Sequence, residues 1–220
     1  MKRFLIALTA CLAALTACSK LSNTATGCRD YCTVSGNRLV SDSGYTYNVV
    51  QQSDDGWKSA ERLLITFDVD ETVSTYEYDI NLTGYIPFIL GKVSTTRDGN
   101  DPVYFQTAVV TGSSSMILNM VCVYTHKKGS TQTHRFGLMY DPAKSTDTDV
   151  YFELTHEAFG DTYKEGVDIS ECESVSAYLS FPIGEYVTSQ SITIGYDWYD
   201  SDNTTTYTTT SHYTSSSNGN

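Results

Sequence analysis

The sequence predicts an all-β protein built from two small units, a closed barrel followed by two packed sheets. Apolar and polar residues alternate with a period of two along residues 63–69 and along residues 76–82, as expected for strands with one buried face. Turn-forming Gly, Asp and Ser residues separate such segments at intervals of about ten residues, a spacing typical of barrels and sandwiches. Only residues 57–62 have the character of a single helical turn.

The N-terminus resembles a bacterial lipoprotein signal peptide. Lys2 and Arg3 precede an apolar run at residues 4–15, which is shorter than the about 20 residues needed to span a bilayer. The run ends in Leu-Thr-Ala directly before Cys18, whose thiolate is the group that accepts the lipid. We predict a signal peptide over residues 1–17 and lipidation of Cys18. An ordinary cleaved signal that leaves this cysteine as a thiol is the alternative.

Residues 18–27 are predicted to be a short polar tether between the lipid and the folded part of the chain. The predicted location is the cell envelope, with an anchor in the outer membrane. The residues directly after Cys18 contain no acid, so display on the cell surface and attachment facing the periplasm both stay open. The net charge of −12 disfavours nucleic acid as a partner, because like charges repel.

Four cysteines follow the predicted lipidation site, namely Cys28, Cys32, Cys122 and Cys172. In an oxidising compartment they allow three disulfide pairings, and the spacing does not choose among these. The Cys28-x3-Cys32 spacing lacks the second pair of cysteines or histidines that would complete a zinc site. We therefore expect neither a metal nor a cofactor.

The remaining strands follow from the same alternation. They are expected at residues 45–51, 85–93, 103–110, 116–124, 134–140, 150–156, 175–181 and 192–199. A polar break at residues 97–102 divides the chain, so the barrel is assigned to residues 28–97 and the sandwich to residues 98–213. A Thr-rich run up to residue 213 is predicted to complete a final hairpin, and residues 214–220 are predicted to be a disordered tail.

Three stretches of the chain carry a family likeness. They are residues 61–67 together with 76–80, residues 134–140 (His-Arg-Phe-Gly-Leu-Met-Tyr) and residues 150–161. These motifs resemble those of NigD-like lipoproteins of the Bacteroides–Prevotella group. The resemblance implies an N-terminal OB-like barrel and a C-terminal β-sandwich, in agreement with the strand count. It also implies the role supposed for the founding member from its bacteriocin operon, that of an immunity protein.

His134 and His156 are the candidate functional residues within these motifs. By alternation, each lies at one end of an inward-facing row of a strand. Buried polar groups are hydrogen-bonded as a rule, so we expect two structural histidines at the rim of the sandwich. The alternative makes them ligands or acid–base groups, with Glu157 or Asp161 nearby.

The sequence shows no residue pattern of a known hydrolase, phosphate loop or dinucleotide site. We therefore predict a non-enzymatic envelope protein that is anchored to the membrane through Cys18 and binds another protein. A glycan-binding module is the alternative, for which Trp198 and Tyr199, on opposite faces of one strand, offer an aromatic surface. The weakest alternative is a hydrolase whose paired carboxylates are hidden among 26 acids.

Overall fold

The computed structural model describes residues 25–113, 115–163, 169–187, 191–200 and 203–212. Within these residues the chain forms thirteen strands and two short 3-10 turns. The strands are β1 Cys28–Ser35, β2 Arg38–Ser41, β3 Thr46–Gln52, β4 Arg62–Ser74, β5 Glu77–Leu90, β6 Val93–Ser94, β7 Tyr104–Thr111, β8 Ile117–Lys127, β9 Arg135–Tyr140, β10 Asp149–Glu157, β11 Cys172–Pro182, β12 Ser191–Asp200 and β13 Asn203–His212. The 3-10 turns are Gly56–Ser59 and Ile169–Glu171. None of the helical segments in this part of the chain has the length and apolarity needed to cross a membrane.

The first five strands form a closed barrel. Its order is β1-β2-β3-β5-β4, with β4 paired back onto β1 and β3 running parallel to β5. Alternate residues of β4, Leu63, Ile65 and Phe67, point into the barrel and are buried, where they pack with Tyr47. The period-two pattern of this segment therefore predicts both the strand and its buried face correctly.

The second unit is a sandwich of two sheets. One sheet has the order β5-β11-β8-β7 and is continuous with the barrel, and the other has the order β6-β9-β10-β12-β13. Strand β5 serves both units, because Ile89 and Leu90 at its end pair with β11. Alternate residues of the facing strands fill the core, among them Met120, Phe152 and Leu179. The predicted class, an all-β barrel followed by a β-sandwich, is confirmed, whereas the OB-like description of the barrel stays a prediction.

Strand β5 is longer than the sequence indicates. The strands predicted at residues 76–82 and 85–93 form one strand that passes through Gly84 without a turn. Its register against β4 shifts between Thr66 and Phe67, so the irregularity is absorbed as a bulge rather than as a loop. The single long strand is what links the barrel to the sandwich.

Strand β1 was not predicted from the alternation of apolar and polar residues, because a carboxylate lies on its inward face. Asp30 accepts hydrogen bonds from the hydroxyls of Ser41 and Tyr47, the latter at 2.8 Å. Burial raises the pKa of Asp30, and the hydrogen bonds from Ser41 and Tyr47 only partly offset this. The neighbouring Cys32 on the same face belongs to the apolar core.

Several sequence-based assignments concern the chain ends. The signal peptide at residues 1–17, Cys18 and the tail at residues 214–220 lie outside the described residues, and the boundary at residue 97 stays a prediction. The end of the expected tether is already bound to the barrel, because the amide of Val69 donates to the carbonyl of Ala25 at 2.8 Å.

Three of the cysteines in the described part of the chain are free thiols. Cys32, Cys122 and Cys172 are buried thiols without a disulfide, so none of the three pairings among the four cysteines is formed. Burial raises the pKa of Cys122 to about 12, which keeps this thiol protonated and unreactive.

A buried arginine holds the barrel against the sandwich. Arg62 of β4 has no exposed surface and forms an ion pair with Asp42 from the β2–β3 turn. Its Nε also donates to Asn119 Oδ1 of β8 at 3.0 Å and to Ser180 Oγ of β11 at 2.9 Å. One guanidinium therefore connects two barrel elements with two strands of the sandwich sheet.

Candidate functional site

The two histidines that the sequence singles out lie side by side in the sandwich core. His156 is the penultimate residue of β10 and His134 directly precedes β9, and these two strands are paired. His134 Nδ1 is 2.8 Å from His156 Nε2, and the two rings are stacked with centroids 5.0 Å apart. Both residues are buried, as the alternation predicts.

Each end of the histidine pair is capped by another protein group. His156 Nδ1 is 3.0 Å from the carbonyl oxygen of Pro102. His134 Nε2 is 3.2 Å from Asp161 Oδ2. The result is a continuous row of four groups that begins at a backbone carbonyl and ends at a carboxylate.

The partners in this row assign the two nitrogens of His156. A carbonyl oxygen only accepts, so His156 Nδ1 donates to Pro102 and His156 Nε2 accepts from His134 Nδ1. Burial lowers the pKa of His156 to about 4, and the neighbouring His134 adds to this effect, against a hydrogen bond to Pro102 that raises it. His156 is therefore neutral at pH 7.

Asp161 is the carboxylate at the end of this row. Burial raises the pKa of this carboxyl, but hydrogen bonds from Ser130, from the Lys127 amide and from His134 outweigh burial and lower it. The Lys127 amide donates to Asp161 Oδ1 at 3.0 Å. An ionised Asp161 therefore ties β8 and the histidine pair to the turn that follows β10.

All ring nitrogens of His134 and His156 are occupied by protein atoms, so neither ring has a nitrogen available for a metal or a substrate. In the part of the chain that the structure describes, no group of three or more His, Cys, Asp or Glu residues could hold a metal ion. This row of contacts from Pro102 to Asp161 is called the histidine network.

A third histidine, His126, lies in this region and was not singled out from the sequence. His126 packs beside Tyr124, whose ring also contacts His134 at 4.6 Å and His156 at 5.4 Å between centroids. His126 Nε2 is 3.2 Å from Glu173 Oε1, but the pair is too poorly aligned to make a hydrogen bond. Its position two residues after Tyr124, on the same face of β8, is the signal that could have revealed it.

The network holds a short turn with an exposed aromatic residue. This turn, residues 157–161, is named here the Phe159 turn. Its backbone is closed by the Asp161 amide, which donates to the Ala158 carbonyl at 2.9 Å. The Ala158 amide donates to Asp101 Oδ2 at 2.7 Å, which fixes the turn to the segment that crosses in front of β10.

Phe159 combines exposure with an unusual backbone conformation. Its φ is +54°, in the left-handed region that a bulky side chain rarely adopts, and 55% of its surface is exposed. The guanidinium of Arg135 lies 5.5 Å from the ring centroid, a cation–π contact. Neither residue was identified from the sequence, because the feature depends on a backbone angle and on the pairing of β9 with β10.

The predicted aromatic residues Trp198 and Tyr199 are both half-buried. Trp198 packs edge-on against Tyr104 with ring centroids 5.6 Å apart, at the margin of the sandwich core. The hydroxyl of Tyr199 is 2.8 Å from Thr162 Oγ1 and donates to the Tyr163 carbonyl at 2.8 Å. Burial raises the pKa of Tyr199. The two side chains thus take part in packing and hydrogen bonding within the fold.

A pair of carboxylates lies on the outer face of the second sheet. Glu153 of β10 and Asp197 of β12 are both buried, and Arg97 forms an ion pair with each. Lys144 also forms an ion pair with Glu153, with its Nζ 3.7 Å from Oε2. Through these ion pairs, both carboxylates hold the segment after β6 onto the sheet.

Residues 85–211 match the family model described as the NigD-like C-terminal beta sandwich domain. This match covers more than half of the chain, and the protein therefore belongs to the NigD-like family, as the motifs indicated. A search of curated proteins found no match.

Solved structures from Bacteroides species share the fold. A protein of unknown function from Bacteroides vulgatus has a TM-score of 0.62 at 18% identity, covering 87% of this chain and 92% of its own. A candidate lipoprotein from Bacteroides fragilis has a TM-score of 0.60 at 16% identity, covering 87% and 100%. A NigD-like immunity protein from Bacteroides caccae has a TM-score of 0.54 at 18% identity, covering 86% and 93%. At these identities the likeness shows the fold alone.

Proposed function

We propose that this protein is a lipoprotein of the cell envelope that acts by binding another protein and not by catalysis. The lipoprotein part rests on the signal-like N-terminus with Cys18 and on the candidate lipoprotein of B. fragilis that shares the fold. The protein-binding part rests on the immunity protein of B. caccae and, above all, on the Phe159 turn. An anchor in the outer membrane is part of this proposal.

The exposed ring of Phe159 is the observation that carries the proposal. The part of the ring that stays in water forgoes the free energy of burial, and a left-handed φ at such a residue costs about 1–3 kcal/mol. Both costs are removed or offset when a partner buries the ring. Aromatic residues and arginine dominate the centres of protein interfaces, and here Arg135 lies over the ring.

The turn is also held rigidly before any partner arrives. Asp161 is bound by His134 and by the Lys127 amide, and Asp101 holds the Ala158 amide. A preorganised contact loses less entropy on binding than a mobile one, so affinity is gained without new contacts. The buried histidine network accordingly has a positioning role in binding, which explains its closed geometry.

The partner that fits is a protein with an apolar pocket for the ring and an acidic rim for the guanidinium. The side chain of Arg135 is 55% exposed, and its ion pair with Asp98 is long, at 3.9 Å. Such a surface pair is weak and can be exchanged for a carboxylate of the partner. On the analogy of the immunity protein from B. caccae, we propose an exported antibacterial protein as the class of partner.

The proposal is tested by photo-crosslinking in the living source cells. A photoreactive amino acid replaces Phe159 in one variant and Val73 in the control, since Val73 is similarly exposed, at 51%, but lies on the barrel. The expected result is a discrete adduct of one partner protein from position 159 and none from position 73. Adducts of equal pattern and yield from both positions would overturn the proposal.

A glycan-binding role is the second candidate, and one observation favours it. Tyr76, in the turn between β4 and β5, is 65% exposed, and its ring lies 6.3 Å from that of Tyr45. An exposed tyrosine pair can stack on a sugar ring. If this role applies, binding to envelope polysaccharide is retained in Phe159→Ala and lost in Tyr76→Ala. Protein binding at the Phe159 turn predicts instead that binding of the partner protein is lost in Phe159→Ala and retained in Tyr76→Ala.

A further inference from the structure

The two sheets end in strands that differ in how well their open edges are protected. The eight-stranded sheet closes on itself at the barrel and ends at β7, whereas the five-stranded sheet ends at β6 and at β13. Strand β6 has only two residues. Strand β7 is interrupted by a register shift between Phe105 and Thr107, and the Val103 amide just before it donates to the Asp197 carbonyl of β12. Short length and bulges are common ways to prevent pairing with another chain.

Strand β13 has none of these protections. It spans Asn203–His212, ten residues that pair with β12 along their whole length without a register shift. Among the described strands, β12 is its one partner, so its other edge presents backbone amides and carbonyls. The strand contains no Asp, Glu, Lys, Arg or Pro, the residues that usually block the edge of a sheet. A long, regular and uncharged edge is a template for one more strand.

The amino-acid sequence of β13 indicates which strand would pair with its open edge. On the two sides of Tyr207 the sequence reads Asn-Thr-Thr-Thr and Thr-Thr-Thr-Ser, which is almost the same in both directions. An antiparallel strand with this symmetry can pair with its own copy about a twofold axis at Tyr207. Each Thr would then stand opposite a Thr and the Tyr opposite a Tyr, and both kinds of cross-strand pair are favourable.

We propose that β13 is a homodimerisation edge, and that two copies of the chain pair antiparallel through it about a twofold axis at Tyr207. The two five-stranded sheets then form one continuous ten-stranded sheet across the dimer. The interface is isologous, so it closes after two chains and does not propagate into a fibre. The absence of charged residues from β13 matters because each chain carries a net charge of −12, and a charged edge would oppose self-pairing.

This dimer is independent of the proposed protein-binding function, because it forms at β13 and not at the Phe159 turn. Pairing at β13 is made by backbone hydrogen bonds, whereas binding at the Phe159 turn is made by an aromatic side chain. Either can fail without affecting the other.

Symmetric disulfide trapping in the membrane-bound, full-length protein tests both the dimer and its register. In the proposed register, residue 207 stands opposite residue 207 of the second copy, so Tyr207→Cys places two thiols within the distance that a disulfide requires. Thr204 instead stands opposite residue 210 of the second copy. Thr204→Cys alone therefore serves as the matched control, with thiols about six residues apart along the strand, roughly 20 Å.

Under mild oxidation, Tyr207→Cys is expected to give at least tenfold more covalent dimer than Thr204→Cys or the unmodified chain. Co-expression of Thr204→Cys with Thr210→Cys, on differently tagged chains, is expected to restore the crosslink as a heterodimer. This second arm keeps the test valid if loss of Tyr207 disturbs the strand. No dimer in either arm, equal dimer from all variants, or an adduct with a different protein would overturn the proposal.

Discussion

The strongest quantitative prediction concerns the Arg62–Asp42 pair at the junction of barrel and sandwich. The perturbation is Arg62→Met, which keeps most of the side-chain volume and removes the guanidinium. The side chains of Arg62 and Asp42 are 1% and 4% exposed, so the substitution leaves a carboxylate buried without its counter-ion. It also removes the donor that Asn119 and Ser180 share.

The magnitude follows from that burial. Leaving one member of a buried ion pair without its partner destabilises a protein by about 3–5 kcal/mol. Total stabilities of small domains are about 5–15 kcal/mol, so the variant is expected to fold with a much reduced margin. Asp42→Leu should have a similar effect, since it leaves the guanidinium unpaired. The double variant should lose less than either single variant, because it leaves neither charge behind.

The assay is urea unfolding of the four proteins of this double-mutant cycle. Arg135→Met is the matched control, because it removes a guanidinium whose side chain is 55% exposed and whose ion pair spans 3.9 Å. It should change the free energy of unfolding by less than about 1 kcal/mol. An Arg62→Met variant as mild as this control, or simply additive effects of Arg62→Met and Asp42→Leu, would show that the buried ion pair does not stabilise the junction.

Three further predictions concern the histidine network, the Phe159 turn and the anchor. The pKa of His156 is about 4 in the folded chain and its ordinary value is 6.5, so between these values the unfolded chain binds a proton that the folded chain does not. The stabilisation is therefore fully present above pH 6.5, and it falls by up to about 3 kcal/mol as the pH drops to 4. Thermal melting of the wild type against His156→Gln checks this, and an equal pH dependence in both would contradict it. Phe159→Gly should leave the free energy of unfolding within about 1 kcal/mol of wild type, because relief of the left-handed strain offsets the added chain entropy. Lys128 is exposed and follows Lys127, whose amide binds Asp161 of the turn, so a photoreactive residue at position 128 should lose its adduct in this variant; retention of the adduct would argue against the Phe159 turn. Cys18→Ala should move the protein from the membrane to the soluble fraction of fractionated cells, and a membrane pool of unchanged size would disprove lipid anchoring at this residue.

Much of the fold could be predicted from the sequence, because the alternation of apolar and polar residues reports which side of a strand faces the core. It gave β4 and its buried face, and it placed His134 and His156 on inward-facing rows. It failed at β1, where the half-buried Asp30 shares a face with Cys32 and accepts hydrogen bonds from hydroxyls of other strands. It also divided β5 in two, because a bulge against β4 is a property of the pair of strands.

Less of the candidate site could be predicted. Alternation does not say which residue of another strand lies opposite, so the contact between the two histidines and its extension to Asp161 became visible only with the pairing of β9 and β10. Trp198 and Tyr199 were expected to offer an aromatic surface, but nearby side chains of other elements contact both.

The sequence by itself determined the class of this protein: most of its strands, its barrel-and-sandwich organisation, its family and a near-symmetric Thr-rich strand. These properties follow from local order along the chain, since periodicity and composition act over a few residues. Only the tertiary structure decided the chemistry. It closed the histidines into a capped network, engaged the carboxylates Glu153 and Asp197 in ion pairs, and left Phe159 exposed. Those outcomes depend on residues distant in sequence that meet in space, and whether a polar group is free to react is settled by its neighbours and not by its position in the chain.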